Sequence, residues 1–360
     1  MAFAQGGLLD EIKSRGTLVC GVNNQVPGFG NVEADGSFTG FDVDFCRAIA
    51  AAVLGDADAV DFRPVTAQER RIAQQTGEVD VLIRNTTWTR NRDTVGGANG
   101  TPIAFYVGQG FMVPADSGIT ELTDFEGRSI CVQSGTTTEL NMADTLAALN
   151  VQYTPVIFET ADQAVAAYES GVCDSFTTDK SGLVSRQQTL QDPQAHVIMD
   201  ATISKEPLGP SVRHGDDQWY DVVKWVLFAT FNAEEFGLTQ DNVTEVRDTT
   251  INPDIRRMLG VEGQAITELG LEADAMYQVI LQVGNYGEIY ERNLGESTPF
   301  NIPRGLNNQG YNGCRIVGVP FGWSQASEAV TRVGFHLSRG PTRQFQNEQP
   351  DSQATYFLSN

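Results

Sequence analysis

The chain has 360 residues, 41% of them hydrophobic, enough to bury a sizeable core and to form two or more lobes. A formal net charge of -22 and an isoelectric point near 4.4 repel phosphate backbones and anionic lipid, which argues against nucleic acid and acidic membranes as partners. Three histidines and five scattered cysteines without CxxC or Cys/His spacing argue against a zinc site or a disulfide scaffold, and no apolar run approaches the roughly 20 residues of a spanning helix.

At the start, Ala2-Phe3-Ala4 has the small-x-small form of a signal-peptidase site, so Met1 reads as a start added near a removed secretion signal. Residues 17–22 predict a buried strand, 41–53 an amphipathic helix ended by Gly55, and 60–65 a second strand. A helix over 67–76 stopped at Gly77 and a strand over 79–83 follow, an order that predicts a parallel sheet. After Phe111-Met112-Val113-Pro114 the pattern restarts: strand 129–132, helix 139–149, strand 155–158, helix 161–169 and strand 174–177. Residues 208–212 predict a returning extended segment, and a helix around 219–231 belongs to the first block again.

Two α/β lobes joined by two crossover segments place a ligand cleft between the carboxyl ends of their strands. Polar clusters stand at those ends: Arg84 to Arg92, Gln133 to Glu139, and Thr177 to Lys180.

At these residues the chain resembles a known family. GFDVDFCRAIA, GEVDVLIRNTTWTRNRDT, GQGFMVP, CVQSGTTTELN, FETADQAVAAYESGVCDSFTTDKSGL, SKEPLGP and QVGNYGEIYERN are similar to the general L-amino-acid-binding proteins of polar amino-acid ABC transporters, solute-binding protein family 3. The likeness runs from about Gly16 to Asn307. It implies an α/β type II periplasmic binding protein fold that shuts on its ligand like a flytrap and delivers broadly chosen, polar or acidic, free L-amino acids to a membrane permease. On this reading lobe 1 spans 14–110 plus 210–307, with extra C-terminal helices, lobe 2 spans 111–209, and 308–360 is an atypical tail. The protein is then a periplasmic monomer without cofactor, metal or catalysis.

Every free amino acid offers a carboxylate and an ammonium, so a general receptor needs a fixed cation and a fixed anion. The resemblance assigns the cation to Arg92 and the anion to Asp179; without it, Arg92 reads as a solvated loop residue and Asp179 as a helix N-cap. Thr137, in a Thr-Thr-Thr run that opens a helix, offers neutral donors from lobe 2, while Thr136 and Glu139 also fit a capping box. Thr87 and Asn85 offer a hydroxyl and a backbone carbonyl from lobe 1. Arg70 matches a position where acid-selective relatives present an arginine to the side chain, and Asn23, Gln25 and Arg84 are further candidates for that subsite. Lys180 stands beside Asp179 where the resemblance places a smaller residue.

For Cys20 with Cys46 and for Cys131 with Cys173, within-lobe disulfides and buried free thiols both fit, and Cys314 has no partner in the sequence. From Asn308 onward the resemblance lapses and the charge balance reverses, so deletion of 308–360 is expected to leave the lobes intact. Two alternatives share the fold: a periplasmic dehydratase-like enzyme, which would need a general acid or base in the cleft, and a ligand-sensing domain.

Overall fold

A computed structural model describes residues 7–310 and 316. The Ala2-Phe3-Ala4 feature, Cys314 and most of the segment after 310 lie outside the described residues.

The chain begins with α1 (Leu8–Arg15) and β1 (Leu18–Val22), then a small antiparallel meander of β2 (Gln25–Val26), β3 (Gly30–Val32) and β4 (Phe38–Thr39). From Gly40 it enters α2 (Phe41–Leu54). Gly40 has φ 130, and a Cβ there would fall 2.2 Å from the Phe29 carbonyl oxygen, so only glycine passes this corner. α2 is apolar on nearly every face because it is enclosed on nearly every face, and Phe41, Phe45, Ile49 and Val53 all enter the core. There follow β5 (Val60–Pro64), α3 (Glu69–Thr76), β6 (Val81–Leu82), α4 (Arg90–Thr94) and β7 (Ala98–Gly100).

β8 (Phe105–Val107) crosses to the second lobe, built from β9 (Gln109–Pro114), β10 (Ser129–Gln133), α5 (Thr137–Ala148), β11 (Thr154–Phe158), α6 (Ala161–Glu169), β12 (Ser175–Asp179), α7 (Lys180–Gln187) and β13 (His196–Ile198). β14 (Glu206–Leu208) returns beside β8, pairing Glu206 with Val107 and Leu208 with Phe105. β15 (Ser211–Arg213) re-enters the first sheet. The helices α8 (Asp217–Glu235), α9 (Val243–Thr249), α10 (Pro253–Met258), α11 (Ala275–Gln282) and α12 (Tyr286–Leu294) then pack on the first lobe.

Strand order is β5-β1-β6-β15-β7 in the first sheet and β11-β10-β12-β9-β13 in the second. Three consecutive strands of each, β5-β1-β6 and β11-β10-β12, are parallel, as the strand-helix alternation predicts. β15 runs antiparallel to both β6 and β7, and β9 to both β12 and β13, a correction to the all-parallel expectation: these are the strands that follow each crossing between the lobes. The second sheet is buried on both faces by alternation along its strands. Phe111, Ile130 and Val132 face one core with Phe125, Met142 and Leu146, while Met112, Cys131 and Phe176 face another with Tyr168 and Leu183. Cys20 is bonded to Cys46 in the first lobe and Cys131 to Cys173 in the second.

Two features lie outside the expected lobe boundaries. Leu9 and Ile12 of α1, upstream of residue 14, are in the first core. So is Ile316, at 1% exposure, while Gln309 donates to Glu234 at 2.6 Å. A cut at 308 therefore removes packed residues, against the expectation that everything after 307 is dispensable.

Candidate functional site: a cleft between two lobes

The polar clusters at the strand ends converge. A cavity is lined from the first lobe by Asn23, Arg70, Arg84, Asn85 and Thr87, and from the second by Thr137, Asp179 and Arg186 among others. Arg92 lines the neighbouring cavity with Arg70, Thr137 and Asn141. Gln25 is not among the lining residues of either. The lobes touch around the cleft: Gln68 Nε2 donates to Ser134 Oγ at 2.8 Å, and Ser185 Oγ donates to the Pro27 carbonyl at 2.6 Å.

The first-lobe wall is the loop after β6. Asn85 there has φ 43, rare for a residue with a Cβ, and its N–H donates to the buried Asp42 carboxylate at 2.8 Å. Asp42 lies in the first turn of α2, so the helix start fixes the loop. Burial raises the Asp42 carboxyl to about 7, against the Asn85 hydrogen bond and the Arg84 charge. The Asn85 Oδ1 is buried and lacks a hydrogen-bond partner, an acceptor left over at the cleft wall. Asn23 spends its Oδ1 on the N–H groups of Asn24 and Gln25, which leaves its amide nitrogen to offer.

Thr89 caps α4 by accepting from the Arg92 N–H, and Arg92 Nη1 donates to the Thr87 carbonyl at 2.7 Å. Arg70 is 5% exposed and donates to the Thr86 hydroxyl at 3.2 Å and weakly to the Arg84 carbonyl. Burial first, then the Arg92 and Arg84 charges, hold its guanidinium below the ordinary arginine value, and burial lowers Arg92 likewise. Arg84, pushed down to about 10 by burial, donates from Nε to the Val65 carbonyl at 2.6 Å. Three cations therefore crowd the first-lobe side.

From the second lobe, Thr136 caps α5 by accepting from the Glu139 N–H. The reciprocal half of the box is displaced by one residue, because the Glu139 carboxylate takes the Gly135 N–H. Asp179 stands at the N-cap position of α7, yet its side chain makes no cap hydrogen bond. Its carboxylate accepts no hydrogen bond within the described residues. Burial and the Glu206 charge raise it to about 7, against the pull of Arg70 and Arg92. Lys180 turns away and donates from Nζ to the Asp200 carbonyl at 2.7 Å.

The cleft thus sets cations and hydroxyls opposite one unsatisfied carboxylate, an arrangement that complements a small zwitterion. Residues 18–242 match the family described as bacterial extracellular solute-binding proteins, family 3. The chain belongs to this family. Two relatives of this family 3 protein are the general L-amino acid-binding periplasmic protein AapJ of Rhizobium johnstonii and the glutamate/glutamine/aspartate/asparagine-binding protein BztA of Rhodobacter capsulatus. AapJ is 52% identical over 306 residues, 84% of this chain and 89% of AapJ; BztA is 46% identical over 318 residues, 88% and 94%. A solved Brucella ovis ABC transporter periplasmic binding protein with glutathione bound superimposes with a TM-score of 0.86 at 49% identity, covering 88% of this chain and all of that one. These likenesses place the fold among type II periplasmic binding proteins.

Sequence reasoning missed Glu206. Buried at 2% exposure on the crossover strand β14, it accepts from Thr87 Oγ1 at 2.5 Å and Thr137 Oγ1 at 3.0 Å through one oxygen. Through the other it accepts from Asn141 Nδ2 at 2.7 Å and Ser204 Oγ at 2.6 Å. One carboxylate in this family 3 protein therefore joins both lobes at the hinge. The SKEPLGP crossover also carries Lys205, so its sequence gives no sign that Glu206 is other than a solvated charge.

Proposed function

We propose that this protein is the amino-acid receptor of a bacterial ABC importer, closing around one free L-amino acid and handing it to the membrane permease. The observation that carries the reading is the unbonded Asp179 carboxylate, which shares one cavity with Arg70, Thr87 and Thr137, with Arg92 in the adjoining one and within electrostatic reach. Arg92 takes the ligand carboxylate in a forked pair, Thr87 and Thr137 give neutral donors by turning their hydroxyls from Glu206 to the ligand, and Asp179 takes the ammonium. Asn85 contributes its backbone carbonyl and its spare Oδ1. Arg70, with Asn23 beside it, meets a side-chain carboxylate.

The relatives' names support this chemistry: one is a general L-amino-acid binder and the other binds two acids and their amides. The glutathione of the Brucella protein keeps a free α-carboxylate and α-ammonium at its glutamyl end, so it satisfies the same clamp. All three relatives are described as binding proteins, so a dehydratase-like activity is not favoured. A periplasmic monomer completes the proposal.

Calorimetry against free amino acids, N-acetylglutamate and glutamate α-amide tests it. Free amino acids bind, and the two blocked forms lose most of their affinity because each leaves one buried charge unpaired. Equal affinity for glutamate and N-acetylglutamate refutes the role of Asp179.

A further inference from the structure

The face of α7 that begins at Asp179 carries a second polar group. Asp179, Gly182 and Arg186 lie at i, i+3 and i+7 on one helix face, and all three line the cavity. The two charged residues are about 10 Å apart along the helix axis at 1.5 Å per residue. Arg186 is 6% exposed. Its Nη1 is held at 2.5 Å by Asp162, a surface residue in the first turn of α6. Its Nη2 is buried and donates to nothing. A guanidinium donor shut away from water without an acceptor is costly, and the residue that carries it borders the ligand cavity.

The geometry points to Arg186 as a specificity-determining residue that donates through Nη2 to an oxygen on the ligand's side chain, favouring amino acids whose carbonyl or carboxylate lies several bonds beyond the α-carbon. This rests on the amino-acid receptor reading and adds a second-lobe reader to it. Asp179 anchors the ammonium at the start of α7, and the side chain runs along the helix face toward Arg186.

The charge environment decides which oxygens Arg186 accepts. Asp162 compensates its charge, so the remaining donor suits the neutral oxygen of an amide as well as a carboxylate. Arg70 differs. Its hydrogen-bond partners are a carbonyl and a hydroxyl, both neutral, so its charge is available to a second carboxylate. Two arginines, one compensated and one not, let one cleft take both amides and acids.

The test is calorimetry of wild type, Arg186→Met, Arg186→Lys and Asp162→Asn with glutamine, glutamate and alanine, at one pH and salt concentration. Arg186→Met keeps most of the apolar stem and removes the donor. It is expected to weaken glutamine and glutamate by about 10- to 100-fold, the loss of a hydrogen bond to a charged group, and to leave alanine within about twofold. Arg186→Lys, which restores a donor, recovers part of the loss. Asp162→Asn shifts preference from glutamine toward glutamate. The proposal is overturned if Arg186→Met weakens alanine as much as glutamine, which would make the residue structural, or leaves glutamine unchanged, or if Asp162→Asn shifts preference the other way. Wild type that binds none of the three sinks the receptor reading itself, whereas a loss equal across ligands sinks only the role of Arg186.

Discussion

With Asp179 as the ammonium's partner, ligand affinity is expected to fall with acid. Burial and the neighbouring Glu206 carboxylate raise its carboxyl from the ordinary 3.8 to about 7, so near neutral pH the unliganded cleft is half protonated there. A ligand ammonium favours the carboxylate and lowers that value on binding, so binding below pH 7 releases a proton. Each pH unit below 7 then costs about tenfold in affinity, or 1.36 kcal/mol, and affinity at pH 5 is about 100-fold weaker than at pH 8. The ligand's own α-groups keep their charges over this range. Calorimetry of alanine binding from pH 5 to 8, in buffers of different ionisation enthalpy, reads both the affinity and the proton count. A flat affinity with no proton released refutes the assignment. Folding gives an independent reading: because the folded value is raised, the contribution of this carboxyl to the stability of the unliganded protein is present below about pH 4 and lost as pH rises through 7. The raised value corresponds to about 4 kcal/mol at most, less whatever residual water contact restores. Asp179→Asn is therefore expected to raise Tm at pH 8, leave it nearly unchanged at pH 4, and abolish binding.

Arg92→Ala is expected to weaken every amino acid by about 30-fold or more, since it meets the carboxylate common to all of them, while Arg70→Ala weakens glutamate and aspartate and spares alanine and leucine. A panel of dissociation constants checks both, and uniform weakening by Arg70→Ala would make that residue structural. Glu206→Gln puts an amide where four donors now meet two carboxylate oxygens, so at least one donor loses its acceptor, at about 1–3 kcal/mol of stability read by thermal unfolding. The same change removes a charge that raises Asp179, so the midpoint of the pH dependence moves to lower pH; an unmoved midpoint refutes the electrostatic coupling.

What was legible in the sequence and what was not divide along one physical line. α2 was legible because Phe41 to Leu54 carries apolar residues at helical spacing between two glycines, and α6 because its period and its Thr160 cap agree. Arg92, Thr87, Thr137 and Asp179 were legible because local strand and helix signals bring each to a strand end, and the family resemblance gives those ends a chemistry. Residues 208–212 read as extended, but the antiparallel pairing of β15 and the existence of β7 were not legible, because three-residue strands carry no period to read. Glu206 and Arg186 were illegible for a different reason. Each takes its meaning from partners far along the chain, Thr87 and Thr137 in one case and Asp162 in the other, and nothing in the local pattern separates them from solvated charges. The same two residues are where the cleft departs from a plain clamp. Glu206 ties a hydroxyl from each lobe to the hinge, so the donors that meet a ligand are also the donors that hold the lobes together, and a ligand that draws on them changes the balance between its own contacts and closure. The proposed zwitterion clamp draws on groups at strand ends that a local pattern reveals. The coupling of that clamp to closure follows from buried carboxylate bonds that only the folded chain assembles.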